Sequence, residues 1–138
     1  GAACSAALPL TQTGTYLLQV TNGSPAITGG TVTMSSDKAA ALTPGSPYAL
    51  SLRWGQNGRL TFTGTTATHS LDVGVPTTAP AGLSVAVTVV DASGSTVASG
   101  SYSTAGGTLT LGTLAAATYT VLVVPSYGAP TTVSLTYH

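Results

Sequence analysis

The chain has 138 residues, 43% of them hydrophobic, with three basic and three acidic side chains and a formal net charge of zero. That length fits one domain whose core can stand without metal or disulfide staples. So few cations exclude electrostatic capture of nucleic acid or of an anionic membrane surface, and apolar runs as short as Val121-Leu122-Val123-Val124 are far too short for a membrane-spanning helix.

Charged residues make up 4% of the chain and glutamate is absent, against about 25% charged in an ordinary globular domain. The surface is therefore built from Thr, Ser, Gly and Ala. It lacks the Lys and Glu residues that keep exposed strand edges apart, and a net charge near zero also favours association.

Residues 1–7 form a small-residue tail. Its Cys4 is the single cysteine and has no partner for an intramolecular disulfide, which leaves an inert or exposed thiol or an intermolecular bridge. Residues 8–36 read as a β-hairpin. Thr15-Tyr16-Leu17-Leu18-Gln19-Val20 and Thr31-Val32-Thr33-Met34 are its strand-like runs, and the Asn22-Gly23 turn lies between them. Both runs return near the other end of the chain, as Thr118-Tyr119-Thr120-Val121-Leu122-Val123 and Thr132-Val133-Ser134-Leu135, about 100 residues later. The chain thus reads as one full unit plus the C-terminal hairpin of a preceding one, and that surplus hairpin needs a sheet edge to pair with.

Residues 37–45 read as a connector. The one helical signal lies in residues 36–42 and is cut short by Thr43-Pro44, so at most an Ala-rich half-turn is expected there. Residues 46–138 read as a complete unit in which apolar residues alternate with Thr, Ser and Gly. Leu50, Leu52 and Trp54 fall on one face, and so in turn do Leu60 and Phe62, then Leu71, Val73 and Val75. The pattern continues through Leu83, Val85, Val87 and Val89, through Leu109 and Leu111, through Tyr119, Val121 and Val123, and through Val133, Leu135 and Tyr137. Pro44-Gly45, Asn57-Gly58, Asp91-Ala92-Ser93-Gly94, Ala105-Gly106-Gly107 and Tyr127-Gly128-Ala129-Pro130 supply the turns between these runs. Regularly spaced short strands of this kind predict an all-β antiparallel sandwich of jelly-roll type with an extra N-terminal hairpin. Tyr119, just past a tight turn at a strand start, is the expected tyrosine corner, its hydroxyl bonding back to loop backbone.

Gly58-Arg59-Leu60-Thr61-Phe62-Thr63-Gly64, then residues 83–99 with their Asp91-Ala92-Ser93-Gly94 turn, then the Tyr119 hairpin, resemble the bacterial pre-peptidase C-terminal (PPC) type of β-sandwich. Such domains occur in tandem in large secreted or surface proteins of the YD/Rhs type. The resemblance spans about 90 residues of the full unit and implies a non-catalytic role in spacing, stabilising, adhesion or secretion. Some members of the family bind calcium or a polymer such as collagen or chitin. Three scattered Asp residues without a Glu are a poor ligand supply for calcium, so no metal or other cofactor is expected, and Asp91 is expected to cap its own turn.

No motif names a reaction. His69, Ser70 and Asp72 carry the residue types of a hydrolytic triad, but strand alternation sends His69 and Ser70 to opposite faces. Both His69 and His138 are expected to be ordinary surface histidines, and the chain is expected not to be an enzyme. The expected function is an extracellular or cell-surface structural module that assembles with itself head to tail into a filament or fibre. In that reading, Tyr16, Leu18, Val20, Val32 and Met34 of one copy fill pockets along a sheet edge of the next. The second reading is an accessory domain that binds an extracellular polysaccharide or protein polymer, or a tandem spacer. Its candidate contact residues are Trp54, Tyr102 and Tyr127, with Tyr48 less favoured. Trp54 is expected in the core or covering an edge, Tyr102 and Tyr127 in the open.

Overall fold

A computed structural model of the chain describes residues 34–138 together with the isolated positions Thr15 and Val32. The described residues form ten strands: β1 (Lys38–Ala41), β2 (Tyr48–Leu52), β3 (Gly58–Thr63), β4 (Thr68–Val73), β5 (Thr77–Thr78), β6 (Val85–Val90), β7 (Thr96–Tyr102), β8 (Gly107–Thr113), β9 (Thr118–Pro125) and β10 (Thr131–Tyr137). A single 3-10 turn, Ser126–Gly128, joins the last two. The strands form two sheets ordered β1-β3-β9-β6-β7 and β2-β10-β4-β8, with β5 also on β10. Every pairing is antiparallel except that of β1 with β3.

The alternation read from the sequence is the alternation that packs. Leu60, Phe62, Val85, Val87, Val89, Tyr119, Val121 and Val123 point inward from the first sheet, and Leu50, Leu52, Leu71, Val73, Val133, Leu135 and Tyr137 from the second, all of them buried. This is an all-β sandwich, two sheets held face to face by the apolar side of each strand. At one end of the core runs a stack of rings: Phe62 lies 5.4 Å from Tyr119 and 4.1 Å from Tyr137, and Tyr137 lies 5.1 Å from His69.

The tyrosine corner forms as expected. The Tyr119 hydroxyl accepts the Ala115 N–H at 3.1 Å and donates to the Ala115 carbonyl at 3.3 Å. Gly64 makes room for it, since a Cβ there would stand 2.6 Å from the Tyr119 ring. Asp91 caps its own turn: one carboxylate oxygen accepts the Ser93 N–H at 2.8 Å, the Ser93 hydroxyl at 2.6 Å and the Ser95 N–H at 2.9 Å.

Three local expectations fail for identifiable reasons. The Ala-rich segment is no helical half-turn but the edge strand β1, its ladder to β3 extended by Lys38 N–H to the Asn57 carbonyl and Leu42 N–H to the Thr61 carbonyl, both 2.7 Å. A segment of about one helical turn is too short to nucleate, whereas an adjacent edge strand satisfies its backbone at once. Val75 does not continue the face of Leu71 and Val73. The strand ends at Val73, Gly74 and Val75 slip the register by one residue, and Pro76 points inward in place of Val75. Leu83 precedes β6 and is only half-buried.

Candidate functional site

Among the described residues four strands border the sandwich: β1 and β2 along one side, β7 and β8 along the other. The β7 and β8 edges carry no charged residue, yet both are distorted. Val89 pairs with Ala98 and Val90 with Thr96, leaving Val97 as an extra residue in β7. His69 pairs with Gly112 and Ser70 with Thr110, leaving Leu111 extra in β8, beside Gly112 at φ 71°. Bulges of this kind twist an edge away from further pairing. The opposite ends of the same two strands are covered by Tyr102. Its side chain lies across Gly100 and Gly107, where an added Cβ would meet the hydroxyl at 2.8 Å and the ring at 3.1 Å, respectively. Tyr102 is therefore half-buried against the core, not in the open as expected, and burial raises its phenol above the ordinary value.

On the other side, β1 is four residues long and carries Lys38. The neighbouring β2 is different: Tyr48, Ala49, Leu50, Ser51 and Leu52 hold an unbroken register with β10, carry no charge, and among the described residues pair with no second strand. Tyr48 is half-buried and packs on the core. Of the candidate assembly residues, Val32 is 55% exposed and Met34 69% exposed, while Tyr16, Leu18 and Val20 lie outside the described residues.

Trp54 is not in the core. β2 ends at Leu52, and a tight turn closed by Gln56 N–H to the Arg53 carbonyl, with Gly55 at φ 70°, swings the indole out to 50% exposure. It lines an open cleft of ≈ 480 Å³ together with Met34, Ser35, Ser36, Arg53 and Gln56. The Gln56 amide braces this cleft, accepting the Arg53 N–H at 3.2 Å and donating to the Ser36 carbonyl at 3.0 Å. Behind it, Arg59 pairs with Asp37 at 3.2 Å. Tyr127 is 61% exposed, as expected of a turn residue. The turns of Trp54 and Tyr127 are tied together by Gly55 N–H donating to the Gly128 carbonyl at 2.7 Å, a link between two distant stretches of sequence that no local pattern signals.

The histidine and aspartate side chains among the described residues all have partners within the fold. His69 is 8% exposed, not a surface histidine. Its Nδ1 lies 3.0 Å from the His138 carbonyl oxygen, and its Nε2 lies 3.2 Å from the Thr65 backbone nitrogen and 3.0 Å from both the Thr65 hydroxyl and the Thr65 carbonyl oxygen. The Tyr137 hydroxyl lies 2.8 Å from Nδ1 and donates to the Thr63 carbonyl at 3.3 Å. Burial, with the Tyr119 phenol nearby, raises the Tyr137 phenol above its ordinary value. Sequence reading missed this inward histidine because it sits in the middle of a Thr/Ser-rich run, and only the ring stack and the β8 bulge opposite reveal its role. Ser70 and Asp72 face away from it across β4, so the three do not converge. Asp72 instead accepts the Thr108 hydroxyl at 2.6 Å, which holds its carboxyl below the usual range, and lies 3.1 Å from Nε2 of the exposed His138. Among the described residues no three His, Cys, Asp or Glu side chains gather into a metal site, and no helix is long and apolar enough to cross a membrane.

Compared with known proteins, the sequence matches no protein-family model and no curated protein. The PPC-like resemblance accordingly rests on the quoted residues alone.

Proposed function

We propose that the chain is a non-catalytic, extracellular structural module that assembles head to tail, residues 8–36 of one copy adding along β2 of the next. The observation that supports this most is the contrast among the four edges: two are bulged, one is short and carries a lysine, and β2 is regular and uncharged. A regular edge offers main-chain donors and acceptors to an incoming strand, and alternate side chains of that strand provide specificity. Tyr16, Leu18, Val20, Val32 and Met34 are the alternating apolar set that such a strand pair would bring, and Val32 and Met34 are both exposed. The scarcity of charge across the chain favours the same outcome.

The test is the assembly state by size-exclusion chromatography and negative-stain imaging. The intact chain should form head-to-tail assemblies, either filaments or closed rings. Leu18→Asp combined with Val20→Asp should leave folded monomers, and so should Ala49→Lys combined with Ser51→Lys, which places charge on the acceptor strand. An intact chain that stays monomeric at high concentration, or a polymer indifferent to both pairs of substitutions, would overturn the proposal.

A further inference from the structure

One pairing in the sandwich runs against the rest: β1 lies parallel to β3, while every other ladder among the described residues is antiparallel. Parallel neighbours are entered from the same end, so the chain approaching β1 runs in beside the chain approaching β3. β3 is entered from β2, in the opposite sheet, through residues 53–57. The approach to β1 follows that path at a constant offset of 20 residues, Lys38 to Ala41 standing opposite Gly58 to Thr61. Ahead of that ladder the Gln56 amide donates to the Ser36 carbonyl at 3.0 Å, and Met34 lines the same cleft as Trp54. Both keep the offset. Carried one step further, it sets Val32 opposite Leu52, the last residue of β2.

Among the described residues β2 is paired on one side only, with β10. Val32 and Met34 belong to no strand and are 55% and 69% exposed, and Trp54 is 50% exposed. An open strand edge and bare apolar side chains are both unfavourable in water, and a single movement covers them together. We propose that the run through Val32 and Met34 closes onto the chain's own β2 as a parallel strand, Val32 beside Leu52 and Met34 beside Trp54. This carries the stacking of β1 on β3 across into the second sheet. Parallel neighbours at equal positions share a face, so Val32 joins Leu52 on the inner side and Thr31 joins Ser51 on the outer. The contact is made within one chain, through a tether only a few residues long, and therefore competes with a strand arriving from a neighbour. Its consequence rests on the assembly reading: the acceptor edge is self-covered, and head-to-tail contact begins only at concentrations where a neighbour's segment displaces the chain's own, as in a domain swap.

Adjacent strands stand about 4.8 Å apart, a Cα separation that a disulfide bridges. Thr31→Cys with Ser51→Cys, in a chain whose own thiol is removed by Cys4→Ser, puts two sulfurs side by side on the outer face at this register. Oxidised at low protein concentration, the full chain should form a bridge within the monomer, in a yield independent of dilution, identified by mass spectrometry of the monomer band from a non-reducing gel. Thr31→Cys with Ala49→Cys, the same face but off register, should give about tenfold less. The bridged chain should remain monomeric at concentrations where the reduced chain assembles, and reductant should restore assembly. A second measurement needs no substitution: in the unaltered chain, held dilute enough to be monomeric, nuclear Overhauser contacts should join the Val32 and Leu52 methyl groups. Equal yields from the two cysteine pairs, no bridge within the monomer, or no Val32–Leu52 contact would each overturn the inference. Bridges formed only between chains would overturn it while leaving the assembly reading standing. A bridged monomer whose reduced form never assembles would uphold the closure and remove the assembly reading instead.

Discussion

Removing the Phe62 ring should be the most damaging single truncation in the core. Phe62 lies on β3 between Tyr119 and Tyr137, with ring centroids 5.4 and 4.1 Å away, and only 3% of its surface is exposed. Phe62→Ala removes a large buried apolar group and opens a cavity between rings that the two sheets hold from opposite sides. The backbone cannot close over that gap, because Leu60 and Phe62 are fixed in register against Val121 and Tyr119. Such substitutions cost about 3–5 kcal/mol, and the two lost ring contacts, each worth about 0.5–1.5 kcal/mol, place this case toward the upper end. For a domain of about 100 residues that is a fall in Tm of roughly 12–20 °C. Urea unfolding followed by near-UV circular dichroism and by fluorescence measures it, with an unchanged slope showing that the denatured state is not the cause. Phe62→Leu, which keeps most of the volume but not the stacking, should lose about 1–2 kcal/mol. A loss below about 1 kcal/mol for Phe62→Ala would refute the ring stack as an organising feature of this core.

Tyr119→Phe leaves the ring in place and removes only the hydroxyl held by Ala115; about 1 kcal/mol should be lost in the same unfolding assay. Gly64→Ala should cost more, roughly 1–3 kcal/mol, because its Cβ would sit 2.6 Å from the Tyr119 ring and 2.9 Å from the Ala115 carbonyl oxygen. The Asp91 carboxyl is held below its ordinary value chiefly by the Ser93 hydroxyl, with the Ser95 N–H next. A depressed folded-state value gives stability that is complete above the unfolded value, near 4, and lost as pH falls through the folded one. The decline in Tm below about pH 4 should accordingly be shallower in Asp91→Asn than in the parent, and equal slopes would remove Asp91 from the acid response. A chelator should leave Tm unchanged; a fall of more than a few degrees in EDTA would reveal a bound ion.

Periodicity made the core legible, because an inward set at every second residue has no other cause in a chain with so few helix signals. The turn at Asp91 and the corner at Tyr119 were legible for the same kind of reason: each is a local device whose donors and acceptors lie within a few residues of one another. Trp54 and Val75 were misread because extrapolating alternation takes no account of where a strand stops, and a turn one residue past the last ladder partner reverses the sense of everything after it. His69 was misread because its partners, Thr65 apart, are Tyr137 and the His138 carbonyl, far away in sequence. The joining of the Trp54 and Tyr127 turns was half legible. Tyr127 announced itself as exposed by its turn, but its association with Trp54 depends on one backbone bond between distant loops.

The edges explain how a β-sandwich can do almost without charge. Lysine is the usual guard of an edge strand, and here the β7/β8 side is guarded by geometry instead: Val97 and Leu111 bulge the strands at one end, and Tyr102 lies over their glycines at the other. Lys38 lies in β1, on the same side as β2 but in the other sheet. The two sides of the sandwich are consequently unequal, one closed along its length and one with a regular, uncharged strand. In the proposed assembly that inequality fixes direction. An edge that accepts a strand, coupled to a different segment that donates one, makes a heterologous contact in which donor and acceptor cannot both be satisfied within a two-fold pair unless the copies swap segments reciprocally. Propagation or ring closure follows from the rotation between successive copies. The bulged side then keeps polymers from pairing laterally, since widening the sheet there would require straightening two distorted strands.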